Sequence, residues 1–362
     1  MSGTALLPLR GSVRRILVLR PRALGDVLLA TPALRALRLG FPEAELHVGV
    51  DDTLAPLLAR NPHVHRLWLL PRRRGGVRAW LGLYAGLARA HFDLVLDLHG
   101  SPRTAFLSWW TRAPNRVGYA LRGRGALYNL RLPRDADRSG ARRILYAARA
   151  GLEIVARCGV RGPALLDSSL VLVGDPAAEA RLESALDEIA PERPRIGVAP
   201  AGSWQAKTWP LESFAHAADL LAAAGCRIVV VWGPGERALA EELQGRMRST
   251  SALAPETTLD ELGALLARLD LLVCNDSGVR HVAVARGTPT VTVFGPTSPV
   301  AWSPPREARH AVVRSPLPCL GCNFTRCSHH LCMRLLEPEA VAEKALELLS
   351  QQGAAAGNSC GS

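Results

Sequence analysis

The sequence predicts an α/β chain of two Rossmann-like domains whose parallel sheets face a central cleft. Three observations carry this. The chain has 362 residues, about twice an ordinary domain, and is 48% hydrophobic, enough to fill two cores. Short apolar runs alternate with stretches of helical periodicity, the pattern of parallel strands joined by crossover helices. That series stops over residues 159–194, a linker and one helix, and then begins again.

In the first series, residues 15–19, 45–50 and 93–98 read as strands, the last running into His99-Gly100. Residues 26–39, 80–90 and 144–158 have the apolar spacing of helices. The linker region carries a helix at 176–189. Strands are then expected at 195–199, 227–232, 269–274 and 289–294, with helices at 211–224, 237–247 and 259–267 between them. A last helix is expected at 338–349. The chain thus divides into an N-terminal extension (1–12), a first domain (13–170), a second domain (171–350) and a tail (351–362). The last helix is free to pack back on the first domain. The tail, rich in Gly, Ala, Ser and Asn, is expected to be disordered.

Charge is unevenly spread. Residues 1–162 hold 27 arginines against ten acidic residues, whereas residues 163–362 hold 17 basic and 22 acidic residues. A basic first half suggests an anionic partner: nucleic acid, a membrane surface or a phosphorylated substrate. No stretch reaches the roughly 18–20 apolar residues of a membrane helix. The first apolar run, 16–19, is stopped by Arg20, Pro21 and Arg22, too soon for a signal peptide. The expected location is the cytoplasm, with peripheral contact at an anionic membrane surface among the partners left open.

In doubly wound sheets, ligands bind beyond the carboxyl ends of the strands, so the residues there are the candidates. After the first strand come Arg20 and Arg22, then Gly25 as a tight turn and Asp26 as a helix N-cap or a general base. After 195–199 comes a small-residue loop with Ser203, suited to close approach by a phosphate. It leads to Lys207, one of only two lysines beside 42 arginines, so its compact charge reads as selected for an exposed contact with phosphate. Gly233-Pro234-Gly235-Glu236 makes a turn whose carboxylate either complements a helix dipole or meets ribose hydroxyls. Asn275-Asp276-Ser277-Gly278, followed by His281, opens a helix whose free amides form an anion site. Thr297 and Ser298 supply hydroxyls over the same cleft.

Together these motifs resemble glycosyltransferase family 9, the ADP-heptose–lipopolysaccharide heptosyltransferases. The carrying residues are Arg20-x-x-x-Leu24-Gly25-Asp26 with Thr31-Pro32-Ala33-Leu34, Ala201-Gly202-Ser203 to Lys207-x-Trp209-Pro210, Gly233-Pro234-Gly235-Glu236, Asn275-Asp276-Ser277-Gly278 with His281, and Phe294-Gly295-Pro296-Thr297. The match covers nearly the whole chain. It implies a GT-B fold and inverting, metal-independent transfer of heptose from ADP-L-glycero-D-manno-heptose to the lipopolysaccharide inner core, with no cofactor. It implies that Asp26 is the base toward the acceptor hydroxyl and that Lys207 meets the donor phosphates. Glu236 would lie near the nucleoside, Asp276 would hold the donor sugar, and Ser277, Gly278 and Thr297 would surround the pyrophosphate. The phosphorylated lipid A–core acceptor is assigned to Arg20, Arg22, Arg72, Arg73, Arg74 and Arg122. One departure is Val279-Arg280, where the family often has Pro-Met or Leu-Ser.

Cys319, Cys322, Cys327 and Cys332 resemble a segment of the heptosyltransferase II type. Four thiols suffice for structural zinc. Their spacing is looser than paired knuckles, and the segment is read as a reduced loop without metal. Two other readings remain. One is a sugar-nucleotide 2-epimerase of the same fold. The other is a basic nucleic-acid-binding protein, disfavoured because residues 1–162 show no aromatic platform for single strands.

Overall fold

The computed structural model describes residues 6–71, 76–133, 144–305 and 307–359, the last seven by backbone alone. The chain separates into two compact units, Met1–Val173 and Gly174–Ser362.

The first unit contains β1 (Arg15–Leu19), α1 (Leu24–Leu29), α2 (Thr31–Gly40), β2 (Glu45–Asp51), β3 (Arg66–Leu70) and α3 (Val77–Arg89). It continues with β4 (Leu94–Asp97), α4 (Pro102–Trp110), β5 (Asn115–Tyr119), β6 (Leu130–Leu132) and α5 (Ala147–Arg157). All six strands are parallel, in the order β3-β2-β1-β4-β5-β6. The inner strands β1 and β4 are apolar on both faces because helices cover both sides. The helix expected at 26–39 is two helices. Pro32 lacks an amide and cannot continue a ladder, so the chain breaks at Ala30, and the Thr31 hydroxyl donates to Leu28 O at 2.6 Å.

The second unit repeats the plan. It holds α6 (Pro176–Ile189), β7 (Arg195–Ala199), α7 (Leu211–Ala223), β8 (Arg227–Val230), α8 (Arg237–Arg246) and β9 (Ser251–Leu253). Then follow α9 (Leu262–Leu266), β10 (Leu271–Asn275), α10 (Gly278–Arg286), β11 (Thr290–Val293), α11 (Pro299–Trp302), β12 (His310–Val313), α12 (Leu331–Arg334) and α13 (Pro338–Ser359). The strand order, β12-β11-β10-β7-β8-β9, is the same winding as in the first unit. The last helix packs on α7 and on β10, β11 and β12 of its own unit. It runs to Ser359, past residue 350, so a helix stands where composition predicts a disordered tail. No helix among the described residues is long and apolar enough to cross a membrane.

This winding fixes where ligands can sit. Strand order reverses between β1 and β4 in one sheet and between β7 and β10 in the other. At such a point two adjacent connections leave in opposite directions and open a crevice beyond the strand ends.

Candidate functional site

In the first unit the crevice lies beyond Leu19 and Asp97, which are register partners. Asp26 sits in the first turn of α1, three positions past the N-cap residue, Ala23. Its Oδ2 accepts from Ala23 N at 3.0 Å, the reach-back half of a capping box. Gly25 lies inside that helical turn rather than before it. Arg20 spans the crevice: its guanidinium donates to Asp26 Oδ1 and to Leu98 O, and its Nε to Asp26 O at 3.2 Å. Arg20 is therefore engaged by the carboxylate it accompanies, whereas Arg22 and Arg122 are exposed. Arg72, Arg73 and Arg74 lie outside the described residues.

Two residues that sequence reasoning left without a role complete this side. Asp97 is 1% exposed. Its Oδ1 accepts from His99 N at 2.9 Å and Gly100 N at 2.8 Å, and its Oδ2 from the Tyr128 hydroxyl at 2.6 Å. Burial and then the Asp97 charge push the Tyr128 hydroxyl far up, so it stays a donor. Gly100 adopts φ +69°, and a Cβ there would stand 3.0 Å from the Tyr119 ring, so the turn requires glycine. Burial, followed by the Arg20 charge, holds the His99 imidazole below its ordinary value, although Asp97 and Asp26 pull the other way. His99 is thus a neutral imidazole in the electrostatic neighbourhood of Asp26. The sequence signal was available: an Asp-x-His-Gly at the end of a buried strand.

In the second unit the crevice lies beyond Ala199 and Cys274. Lys207 is buried, at 8% exposure, where a loop lysine was expected to be open. Its Nζ donates to Asp276 Oδ2 at 2.8 Å and approaches Asp276 O at 3.3 Å, and it lies 4.4 Å from the centre of the Trp204 ring. Thr297 donates to the same Asp276 oxygen at 2.6 Å. Burial works to raise the Asp276 carboxyl, but Lys207, Thr297 and Arg280 outweigh it and hold the group below the usual carboxylate range. Ser277 caps α10 with extended backbone, and Gly278 is the first helical residue, so the first-turn amides open beside this cluster. His281 is buried against Trp302. The Arg280 guanidinium donates to Trp302 O at 2.7 Å and to Ser303 Oγ at 2.5 Å.

Asn275 holds the loop that carries Lys207. Its Oδ1 accepts from Trp209 N at 3.0 Å, and its Nδ2 donates to Pro200 O at 2.7 Å. Within that loop a Cβ on Gly202 would meet Thr208 Oγ1 at 2.5 Å. Ser203 is exposed. Glu236 is exposed too, with its carboxylate folded back on Gly233 N at 2.9 Å.

The cysteine segment ties two of these loops together. Thr325 O accepts from Ala206 N at 3.3 Å, and Asn323 N donates to Pro296 O at 2.8 Å, so residues beside Lys207 and Thr297 share one support. Cys319 and Cys322 are exposed, Cys327 is half-buried and Cys332 is buried. Burial pushes the Cys332 thiol up, and the other three cysteines add to this. Among the described residues no three His, Cys, Asp or Glu side chains converge on a point that could hold a metal ion.

Chemically, the first crevice presents a carboxylate able to accept a proton, beside a neutral imidazole. The second presents an ammonium, a hydroxyl and a helix N-terminus, a set that suits a phosphate. A family model for glycosyltransferase family 9 (heptosyltransferase) matches residues 80–332. Lipopolysaccharide heptosyltransferase 2 of Salmonella typhimurium is 28% identical over 351 residues, 94% of this chain and 99% of its own. Two solved Escherichia coli structures share the fold. ADP-heptose lps heptosyltransferase II has a TM-score of 0.74 at 24% identity, covering 94% of this chain and 99% of that one. Heptosyltransferase WaaC with ADP-2-deoxy-2-fluoro heptose has a TM-score of 0.67 at 23% identity, covering 92% and 99%. Two six-stranded parallel sheets with helices, in the company of these structures, make the fold GT-B. With more than half of its length inside the family model, the chain belongs to glycosyltransferase family 9, the heptosyltransferases.

Proposed function

We propose that this chain is an inverting glycosyltransferase that moves a heptose from ADP-L-glycero-D-manno-heptose to the inner core of lipopolysaccharide. The observation that carries the reading is the buried Lys207–Asp276–Thr297 cluster beside the α10 N-terminus. The relatives' printed names supply the sugar and the acceptor.

The reaction is a single displacement. Asp26 takes the proton of the acceptor hydroxyl as its oxygen attacks the anomeric carbon, and ADP leaves from the opposite face. An ammonium has three protons to give, and Lys207 directs two of them at Asp276, leaving one for a donor phosphate oxygen. Charge growing on the departing phosphate is met by Lys207 and by the Ser277 and Gly278 amides, fixed in place before the reaction begins. In this reading those groups do the work without a metal ion or cofactor. Asp276, already paired, has its remaining oxygen for a donor hydroxyl, and Glu236 must swing off Gly233 to reach a ribose. The acceptor is a phosphorylated lipid A–core glycolipid, met by exposed arginines such as Arg22 and Arg122 at the cytoplasmic face of an anionic membrane.

The test is to incubate the protein with ADP-heptose and with other sugar nucleotides, with and without acceptor, and to follow ADP release and product mass. Acceptor-dependent release from ADP-heptose is expected. Isomerisation of a sugar nucleotide without acceptor would instead make the chain an epimerase.

A further inference from the structure

α3 and α4 pack side by side in the first unit and turn their aliphatic faces inward. Leu83, Leu87 and Leu107 join a buried cluster with Trp68, Phe92 and Val95. Beside that cluster both helices carry aromatic residues, of which Trp80 and Tyr84 are half-buried against it. Trp80 and Tyr84, one turn apart on α3, lie 5.9 Å apart between ring centres. Tyr84 lies 5.9 Å from Phe106 and 5.3 Å from Trp110 on α4, and Phe106 lies 5.7 Å from Trp109. Phe106, Trp109 and Trp110 are 39%, 46% and 37% exposed, and Val77 and Leu81 on α3 are 75% and 61% exposed. Three exposed aromatic rings, backed by the half-buried Trp80 and Tyr84, thus stand with two exposed aliphatic side chains on neighbouring helices, although sequence inspection found no aromatic platform in this half. An exposed patch of this kind on an otherwise well-packed unit marks an interaction site.

The surroundings say what it meets. Residues 53–134 contain fourteen arginines and only two acidic residues, Asp93 and Asp97, and Asp97 is buried. Arg78 is exposed on α3 and Arg112 immediately after α4. The Arg103 guanidinium lies 5.4 Å from the Trp80 ring centre. Aromatic rings flanked by cations are the composition of a surface that seats at the headgroup level of a bilayer. The polar atom of Trp110 is already satisfied, its Nε1 donating to Tyr84 O at 2.9 Å, so immersing this indole strands no donor.

Two other occupants fit less well. Single-stranded nucleic acid needs open ring faces on which bases stack, and these rings engage one another edge-on or tilted. A second copy joined about a twofold axis would bring each arginine fringe against its like.

We propose that the α3–α4 aromatic surface docks the protein on an anionic bilayer, holding it where a membrane-anchored acceptor presents its sugars. That purpose rests on the reading of the acceptor given above. The docking itself does not, and its test uses lipid alone. The full chain is co-sedimented with phosphatidylethanolamine–phosphatidylglycerol vesicles and with phosphatidylcholine vesicles, and indole quenching by brominated lipid is followed. Binding to the anionic vesicles is expected, with quenching, and only partial release by salt because the aromatic contribution is not screened. Phe106→Ser/Trp109→Ser on one helix and Val77→Ser/Leu81→Ser on the other should each lower the partition about tenfold or more. Both variants should keep the wild-type melting temperature and ADP affinity. Failure of the wild type to bind anionic vesicles would overturn the proposal. So would wild-type binding by both variants, or a loss that tracks dissociation of a dimer in sedimentation velocity.

Discussion

Lys207 and Asp276 lie 69 residues apart in sequence and form one buried ion pair, Nζ to Oδ2 2.8 Å, with Thr297 on the same oxygen. Truncating one partner of such a pair leaves a buried charge uncompensated, at a cost of about 3–5 kcal/mol. Lys207→Ala should therefore lower the melting temperature as well as weaken ADP binding. Lys207→Met combined with Asp276→Asn should recover much of the stability and none of the ADP affinity. Calorimetry with and without ADP separates the two effects. Undiminished ADP affinity in Lys207→Ala would remove the lysine from the donor site.

Asp26→Asn should fold and bind donor normally yet lose about 10²–10⁴-fold in turnover. The amide oxygen can still accept from Ala23 N, so the helix start survives. A variant with near wild-type rate would leave Asp26 as a capping residue only.

Asp97 should be a positioning residue. Asp97→Ala leaves two backbone amides and the Tyr128 hydroxyl without their acceptor, each costing about 1–3 kcal/mol when buried. Denaturant unfolding should show a loss of several kcal/mol, and the pH profile of turnover should move with the displaced His99. Stability equal to wild type would contradict the hydrogen-bond assignment.

Acid should destabilise the second unit through His310. Burial, then Arg280 and Arg309, lowers its imidazole from 6.5 to about 3. Because the folded value lies below the unfolded one, the unfolded chain binds the proton first. The stabilisation is complete above pH 6.5 and is lost as pH falls toward 3, at about 1.4 kcal/mol per pH unit. His310→Phe should flatten that slope in denaturant titrations run across the window. An unchanged slope would assign it to other groups.

Salt should separate acceptor from donor. Exposed arginine contacts are screened within about 8–10 Å at physiological ionic strength, whereas the Lys207 cluster is buried. Raising salt, or neutralising Arg72, Arg73 and Arg74 together with Arg122, should raise KM for the acceptor and leave that for ADP-heptose nearly unchanged. Equal movement of both constants would make the basic half a solvated surface.

The inner strands were legible because each is buried on both faces and reads as a Val-, Ile- and Leu-rich run: β1, β4, β7 and β10 fall within two residues of expectation. The outer strands did not read so clearly. β5 (Asn-Arg-Val-Gly-Tyr) has one β-branched residue, β6 and β9 have three residues each, and β12 begins with His310. Such segments become strands because a sheet edge is offered to them. At the site, the residue types at the strand ends were visible, but their partners were not. Nothing local reveals that Lys207 folds inward onto Asp276, that Arg20 grips Asp26, or that Tyr128 reaches back 31 positions to Asp97. The aromatic surface was hidden for the same reason: its rings come from helices separated by a strand and two turns.

The cysteine segment offers an optical handle. Cys158, Cys226, Cys274 and Cys332 are buried, whereas Cys319 and Cys322 stand exposed on a stretch bonded through Asn323 to Pro296 and through Thr325 to Ala206. With Cys360 replaced by serine, a thiol-reactive dye would select that stretch. A fluorophore there would ride on the backbone next to Lys207 and Thr297 without touching either, so its emission should report donor arrival in real time, before any sugar moves.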